Sequence, residues 1–420
     1  MREEIYRSVL PNGLTMLVNR KPGFRRKFAV IATRYGSADH RYREGKEVVD
    51  LPDGIAHFLE HKLFKRKDGD VSEVFAAQGA SSNAATSFRT TSYHFSCTDR
   101  FEENLRTLVS FVGDPYITDR AVERERGIIE QEIKMYEDNP SWRVVFNLLG
   151  ALYHSHPVRI DIGGTAESIA KINREALLRC YDRFYRPARM VLVAAGDLDP
   201  ERAIRIAADA TDSWRTNGGP GAAVEAVLDE EPATVVRKTV KQQLDVIRPK
   251  VAIGFKDEPV GTAGRELLRR QVFTNMALDL VLGPASPAYS QLYESGVIDE
   301  TFNFGYTGEP DFGFTVIGGD TSKPEAMRRG VLSAIEKARK ASFTNADVAR
   351  ARKKALGKYL RALNSPASTA DALMYAHFTG VPLSDYMIVV ERVTRHDLQE
   401  RLDEHLTADR AAVSIVSGRS

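Results

Sequence analysis

A long internal repeat constrains the fold of this chain more than any other feature of its sequence. Ile117-Thr118-Asp119-Arg120-Ala121-Val122-Glu123-Arg124-Glu125-Arg126 matches Phe343-Thr344-Asn345-Ala346-Asp347-Val348-Ala349-Arg350-Ala351-Arg352 without a gap, 226 residues further on (Val122 to Val348). Each copy has a Thr suited to cap a helix, an apolar residue before it (Ile117, Phe343) and a Val four residues after it. That is the hydrophobic-staple pattern. Pro140 and Pro366 stand at the same offset and close both helices. A period this long does not suit a solenoid and points to a duplicated domain. Other parts correspond loosely. The runs 28–33 and 251–255 read as buried strands near the start of each half, and 190–197 and 411–418 close the halves. The expectation is two α+β domains, strands first and helices after. The first spans 1–212 and the second 233–420. A linker over 213–232 contains the flexible joint Asn217-Gly218-Gly219-Pro220-Gly221.

Composition narrows the function classes. The chain has 420 residues, 43% of them apolar and 28% charged, which gives each domain enough apolar material for a core. A formal net charge of +2 offers no electrostatic case for nucleic acid or an anionic membrane surface. Cys97 and Cys180 fit no zinc-finger or redox spacing and read as buried small hydrophobes. The N-terminus runs into the turn Leu10-Pro11-Asn12-Gly13 and lacks the apolar core of a signal peptide. No stretch of about 18 apolar residues exists, so no membrane span is expected. A cytoplasmic location follows as the expectation.

The chemistry concentrates in Gly54-Ile55-Ala56-His57-Phe58-Leu59-Glu60-His61-Lys62-Leu63-Phe64. On a helix His57 and His61 stand one turn apart on one face, and two imidazoles so placed can close on one zinc ion. Glu60 lies on nearly that face and can reach a water beside the metal without binding the metal. His-x-x-Glu-His is the inverzincin order. The alternative is two surface histidines flanking a solvated Glu. A catalytic zinc needs a third protein ligand. The helix from Asp119 to about Asp138 offers Glu123, Glu125, Glu130, Glu132 and Glu137. Glu125 and Glu132 are seven apart and share a face, and the duplicate helix has Ala351 and Lys358 in their places. The first half therefore looks like the chemical copy and the second like a wall.

These residues resemble the insulinase/pitrilysin family of zinc peptidases. The likeness is to its half-length bacterial branch, related to the β subunit of mitochondrial processing peptidase. It rests on His57-Phe58-Leu59-Glu60-His61, on Gly79-Ala80-Ser81-Ser82-Asn83-Ala84-Ala85-Thr86-Ser87, and on Glu125 through Asn139-Pro140. The resemblance implies a mostly antiparallel sheet in each domain, with helices packed on one face. It also implies that His57, His61 and Glu132 hold one zinc ion per chain, that Glu60 is the general base, and that Glu125 supports the ligands. The strand around Ser82, Asn83, Ala84 and Ala85 is similar to the family's edge strand, where a peptide substrate adds as an extra strand. For Asn83 a turn residue is the alternative. Family members enclose substrate in a chamber of four such domains, which implies that this chain pairs. The family's Arg and Tyr, seven residues apart, would fall at Tyr293 and Glu300, where neither is present. A heterodimer with a paralogue that supplies the Arg/Tyr pair is therefore expected, unless the match is shifted and Tyr289 or Tyr306 serves.

Two functions compete on this footing. One is a zinc metalloendopeptidase acting on unfolded peptides, targeting segments or small precursors. The other is a non-catalytic peptide-binding or assembly subunit. Several lesser features read as structural. His154 and His156 suit a cap or surface role, Gly163-Gly164-Thr165 starts a helix, and Phe64 and Phe75 belong to the core.

Overall fold

The computed structural model describes residues 4–67, 69–212, 214, 224–257 and 261–419. The joint Asn217-Gly218-Gly219-Pro220-Gly221 lies outside the described residues. Contacts divide the chain into two compact units. The first holds residues 1–133, 161–228 and 361–378, and the second holds 134–160, 229–360 and 379–420.

The sheet of the first unit runs in the order Glu4–Val9, Thr15–Arg20, Met190–Gly196, Lys27–Thr33, Thr91–Cys97, Ser81–Thr86. Only Thr15–Arg20 and Met190–Gly196 pair in parallel. The sheet of the second unit runs Thr239–Gln243, Ala411–Ser417, Lys250–Lys256, Gly313–Asp320, Asn303–Gly308, and again only its first pair is parallel. The closing strand of each half thus inserts between the half's two early strands, so the duplication is written in the topology as well as in the helices. Each unit is a mixed α+β fold with a mostly antiparallel sheet, as the resemblance implies.

The inserted strands explain their own sequences. Met190–Gly196 is buried along its whole length. A strand covered on both faces carries a continuous apolar run instead of an alternation. Thr91–Cys97, one strand from the edge, alternates instead, with Tyr93, Phe95 and Cys97 in the core and Ser92, His94 and Ser96 part-exposed. Phe58, Leu59, Leu105, Leu108 and Leu177 from the helices of this unit fill the same core.

The halves of the sequence exchange helices between the units. Helix Pro140–Leu152 comes from the first half and belongs to the second unit. A Cβ added to Gly254 would stand 2.7 Å from the Leu148 side chain, so this glycine lets the helix lie close on the sheet. Ile253 and Phe255 point into the main core, so Gly254 and Leu148 occupy the opposite face. In return the segment 361–378 joins the first unit. Lys21 donates to the Leu363 carbonyl at 2.7 Å, and Arg34 donates to the Phe378 carbonyl at 2.6 Å. The expected division at 213–232 follows the sequence. In space each half also lends the other unit one helix.

The repeat's caps form as their residues dictate. The Thr118 hydroxyl accepts from the Ala121 amide, and the Thr344 hydroxyl accepts from the Asp347 amide. Ile117, Val122, Phe343 and Val348 are buried. Cys97 and Cys180 are buried free thiols. Among the described residues no helix is long and apolar enough to cross a membrane.

Candidate metal centre

Helix Ile55–Phe64 carries the paired histidines. Ile55, Ala56, Phe58, Leu59 and Leu63 anchor it in the core. That leaves His57 and His61 one turn apart, with ring centroids separated by 4.6 Å. The helix begins at Gly54, whose φ is +86°, and a Cβ there would meet the Gly163 carbonyl at 2.3 Å. A Cβ on Gly164 (φ +74°) would meet the Asp53 carbonyl at 2.5 Å. Two stretches of bare backbone therefore press together and hold the first turn of the histidine helix in place. Thr165 then caps the short helix Ala166–Ile169 through a capping box.

Helix Asp119–Glu137 buries Val122, Glu125, Ile129 and Ile133. This stripe, set by the apolar spacing, turns Glu125 and Glu132 toward the histidines. His57 Nε2 lies 3.7 Å from Glu132 Oε1, and His61 Nε2 lies 3.3 Å from Glu132 Oε2. His61 Nδ1 lies 3.4 Å from Glu125 Oε1. Ligands bound at about 2.0–2.1 Å in a tetrahedron stand about 3.3–3.4 Å apart, so the donor set fits zinc. His57, His61 and Glu132 offer donor atoms within 4.8 Å of one another, and no other such group occurs among the described residues. Glu123 instead pairs with Arg126 at the surface, and Glu137 is exposed.

The electrostatics set the two rings apart. Burial disfavours a charged His61, but hydrogen bonds to Glu125 and Glu132 outweigh it and raise its pKa to about 9. Burial and the neighbouring His61 press His57 down to about 4, so it is neutral near pH 7. Glu125 is buried, yet His61 and Lys62 hold its carboxyl below the ordinary value. An ionised Glu125 accepts the proton on His61 Nδ1, so the proton that a metal would displace is the one on Nε2.

Glu60 is buried beside this group, and burial raises its pKa. The Thr86 hydroxyl donates to Glu60 Oε2 at 2.6 Å. The bond ties the histidine helix to the last residue of the edge strand. Thr86 stands inside the Gly79–Ser87 stretch that carries the resemblance, but nothing in the sequence marks it as a partner of Glu60. Ser81–Thr86 pairs with Thr91–Cys97 on one side only and forms the sheet edge. Ser82 and Ala84 are half-buried, whereas Asn83 and Ala85 are exposed. Asn83 is a strand residue, and its side chain accepts from the Ala84 amide at 2.9 Å. The edge is thereby partly blunted against unwanted pairing.

The remaining candidates lie elsewhere. His156 Nδ1 caps the turn Pro157–Arg159 by accepting from the Val158 amide, and His154 faces the Thr234 carbonyl. Neither joins the metal group. Tyr293 is half-exposed and stacks on Tyr289, and Glu300 is exposed. The Tyr306 hydroxyl is buried and donates to Asp257 at 2.7 Å. Phe64 packs on Tyr93 and Phe111, and Phe75 is fully buried, so both serve the core.

Residues 49–166 match the family profile Insulinase (Peptidase family M16), and residues 171–355 match the Peptidase M16 inactive domain. The zinc protease YmfH of Bacillus subtilis, itself uncharacterized, is 43% identical over 422 residues, covering 100% of this chain and 98% of its own. The chain belongs to peptidase family M16, the insulinase family. Within M16, a peptidase-like protein from Alicyclobacillus acidocaldarius superposes with a TM-score of 0.95 at 36% identity, over 100% of this chain and 99% of that one. Pitrilysin shares the fold at 16% identity with a TM-score of 0.74. The match covers 100% of this chain and 45% of pitrilysin. This M16 chain is thus about half a pitrilysin in length. The inactive-domain match contains none of His57, Glu60, His61 and Glu132.

Proposed function

We propose that this M16 protein is a zinc-dependent endopeptidase, with one ion per chain held by His57, His61 and Glu132. The observation that carries the reading is the convergence of both imidazole Nε2 atoms on the Glu132 carboxylate, at 3.3 and 3.7 Å. Zinc in that cage would polarise the scissile carbonyl and bring the pKa of an adjacent water near 7.

The chain's own residues supply the rest. Thr86 holds one oxygen of Glu60, which leaves the other to take the proton of the attacking water. Burial raises the basicity of that carboxylate and suits it to hand the proton to the leaving amine. Glu125 keeps His61 in the ligating tautomer. An extended peptide pairs along Ser81–Thr86 through main-chain bonds, beside Ser82, Asn83, Ala84 and Ala85, and releases the Ala84 amide from Asn83. Substrates of this kind are unfolded peptides or precursor segments.

The chain would work as a dimer. Tyr293 and Glu300 at the expected Arg/Tyr places favour a heterodimer with a paralogue. A purified chain that cleaves peptides as fast alone as when mixed with that paralogue would show a homodimer instead.

Glu60→Gln tests the whole proposal. The variant is expected to keep stoichiometric zinc and to cleave a random peptide library at least about 100-fold more slowly. A chelator should abolish cleavage by the unaltered chain. Unchanged function of Glu60→Gln in the cell would favour the non-catalytic assembly subunit.

A further inference from the structure

A second polar cluster lies at the same end of the first unit's sheet as Thr86. Thr86 pairs across to Thr91, Thr91 to Thr33, and Thr33 to Met190. Arg34 follows Thr33 and Arg189 precedes Met190, so two arginines leave the sheet side by side. Two strand spacings of about 4.8 Å put Arg34 roughly 10 Å from Thr86, and three put Arg189 roughly 14 Å from it. Arg183 and Arg186 join them from the end of helix Arg174–Phe184 and the turn after it.

Existing partners account for part of this charge. Arg34 is bound to the Phe378 carbonyl. Arg89 pairs with Asp39 at 2.5 Å. Arg183 lies over the Tyr42 ring, and Arg186 donates to the Asp182 carbonyl. Arg189 differs. Its guanidinium lies over the Phe184 ring, 5.9 Å from the centroid, and that ring is stacked on Tyr35. Among the described residues no carboxylate forms an ion pair with it. Burial and the charge of Arg183 lower its pKa. Of the other groups that act most on it, Arg186 and Arg34 are also cationic, and only Asp39, already paired with Arg89, is acidic. A half-buried guanidinium backed by an aromatic ring and crowded by like charges gains most from an anion, and its planar fork matches a carboxylate.

We infer that Arg189, with Arg34, Arg183 and Arg186 around it, is a carboxylate-accepting subsite for the peptide. The inference rests on the peptidase reading for the nature of the ligand. An extended chain advances about 3.3 Å per residue. A peptide that leaves the edge strand at Thr86 and turns along the sheet end reaches Arg189 in about four to five residues. The carboxylate is an Asp or Glu side chain at that separation, or the peptide's own C-terminus.

Binding to the full-length Glu60→Gln chain, followed by fluorescence anisotropy, tests this without turnover. Labelled decapeptides are compared in two sets of pairs, Glu against Gln at each position, and free against amidated C-terminus. The carboxylate member of at least one set should bind about tenfold tighter at low salt, and the set that responds identifies the source. Arg189→Gln should erase the preference. Arg189→Lys, which keeps the charge and loses the fork, should retain less than half of it and decides the matter if Arg189→Gln does not fold. Equal binding of both members, or a preference undiminished in the Arg189 variants, overturns the inference. Zinc-dependent cleavage without a carboxylate preference removes the subsite alone. A carboxylate preference without cleavage removes the peptidase reading alone.

Discussion

At the scale of single residues, the chemistry depends on which proton each ring holds. His61, at about 9 in the protein without zinc, is protonated at pH 7, whereas His57, at about 4, is not. Zinc must displace the His61 proton. Its apparent affinity should therefore climb about tenfold per pH unit from pH 7 and level off near 9. Competitive chelator titrations across this range check the slope, and calorimetry in buffers of different ionisation enthalpy should find about one proton released at pH 7. The same raised pKa stabilises the zinc-free fold. That contribution is complete below the unfolded value near 6.5 and is lost as pH rises through about 9. Glu125→Ala removes the acceptor of the Nδ1 proton, and zinc affinity should fall about 10- to 100-fold in the same titration. Affinity within twofold of the parent would mean that Glu125 only fills space.

At the scale of elements, the histidine helix is placed by backbone contact as much as by its apolar face. Gly54 and Gly23 both hold a positive φ, +86° and +82°. Only Gly54 has a neighbour, the Gly163 carbonyl, within reach of an added Cβ. Gly23→Ala should cost about 1 kcal/mol, the left-handed penalty alone. Gly54→Ala should cost at least about 2 kcal/mol and lower zinc occupancy, because the helix must shift to clear the carbonyl. Urea unfolding of both variants, read with metal content, checks this. Equal losses would show that the contact with Gly163 does not position the helix. The long helix was more legible. Its staple residues, its capping Thr118 and the shared face of Glu125 and Glu132 all follow from spacing, because one helix imposes one periodicity.

At the scale of the whole molecule, the units do not coincide with stretches of sequence. The first unit needs the segment 361–378, whose carbonyls at Leu363 and Phe378 receive Lys21 and Arg34. Residues 1–212 expressed alone should therefore aggregate or fail to hold zinc. Co-expression with residues 224–420 should restore a folded, zinc-binding pair, as read by gel filtration and metal content. A monomeric, zinc-loaded fragment 1–212 would show that the exchanged helix is dispensable.

The sequence by itself determined the duplication, the α+β class, the histidine pair on one helical face and the two acids on another. Each depends on local periodicity or on a repeat written in the residues. Resemblance, more than spacing, singled out Glu132 among five acids. Only the tertiary structure decided that Glu132 meets both rings, that Thr86 holds Glu60, that Gly163 and Gly164 press on the histidine helix, and that each half lends a helix to the other unit. These partners are 26 to more than 300 residues apart. What joins them is chain packing across the fold, which no local pattern encodes.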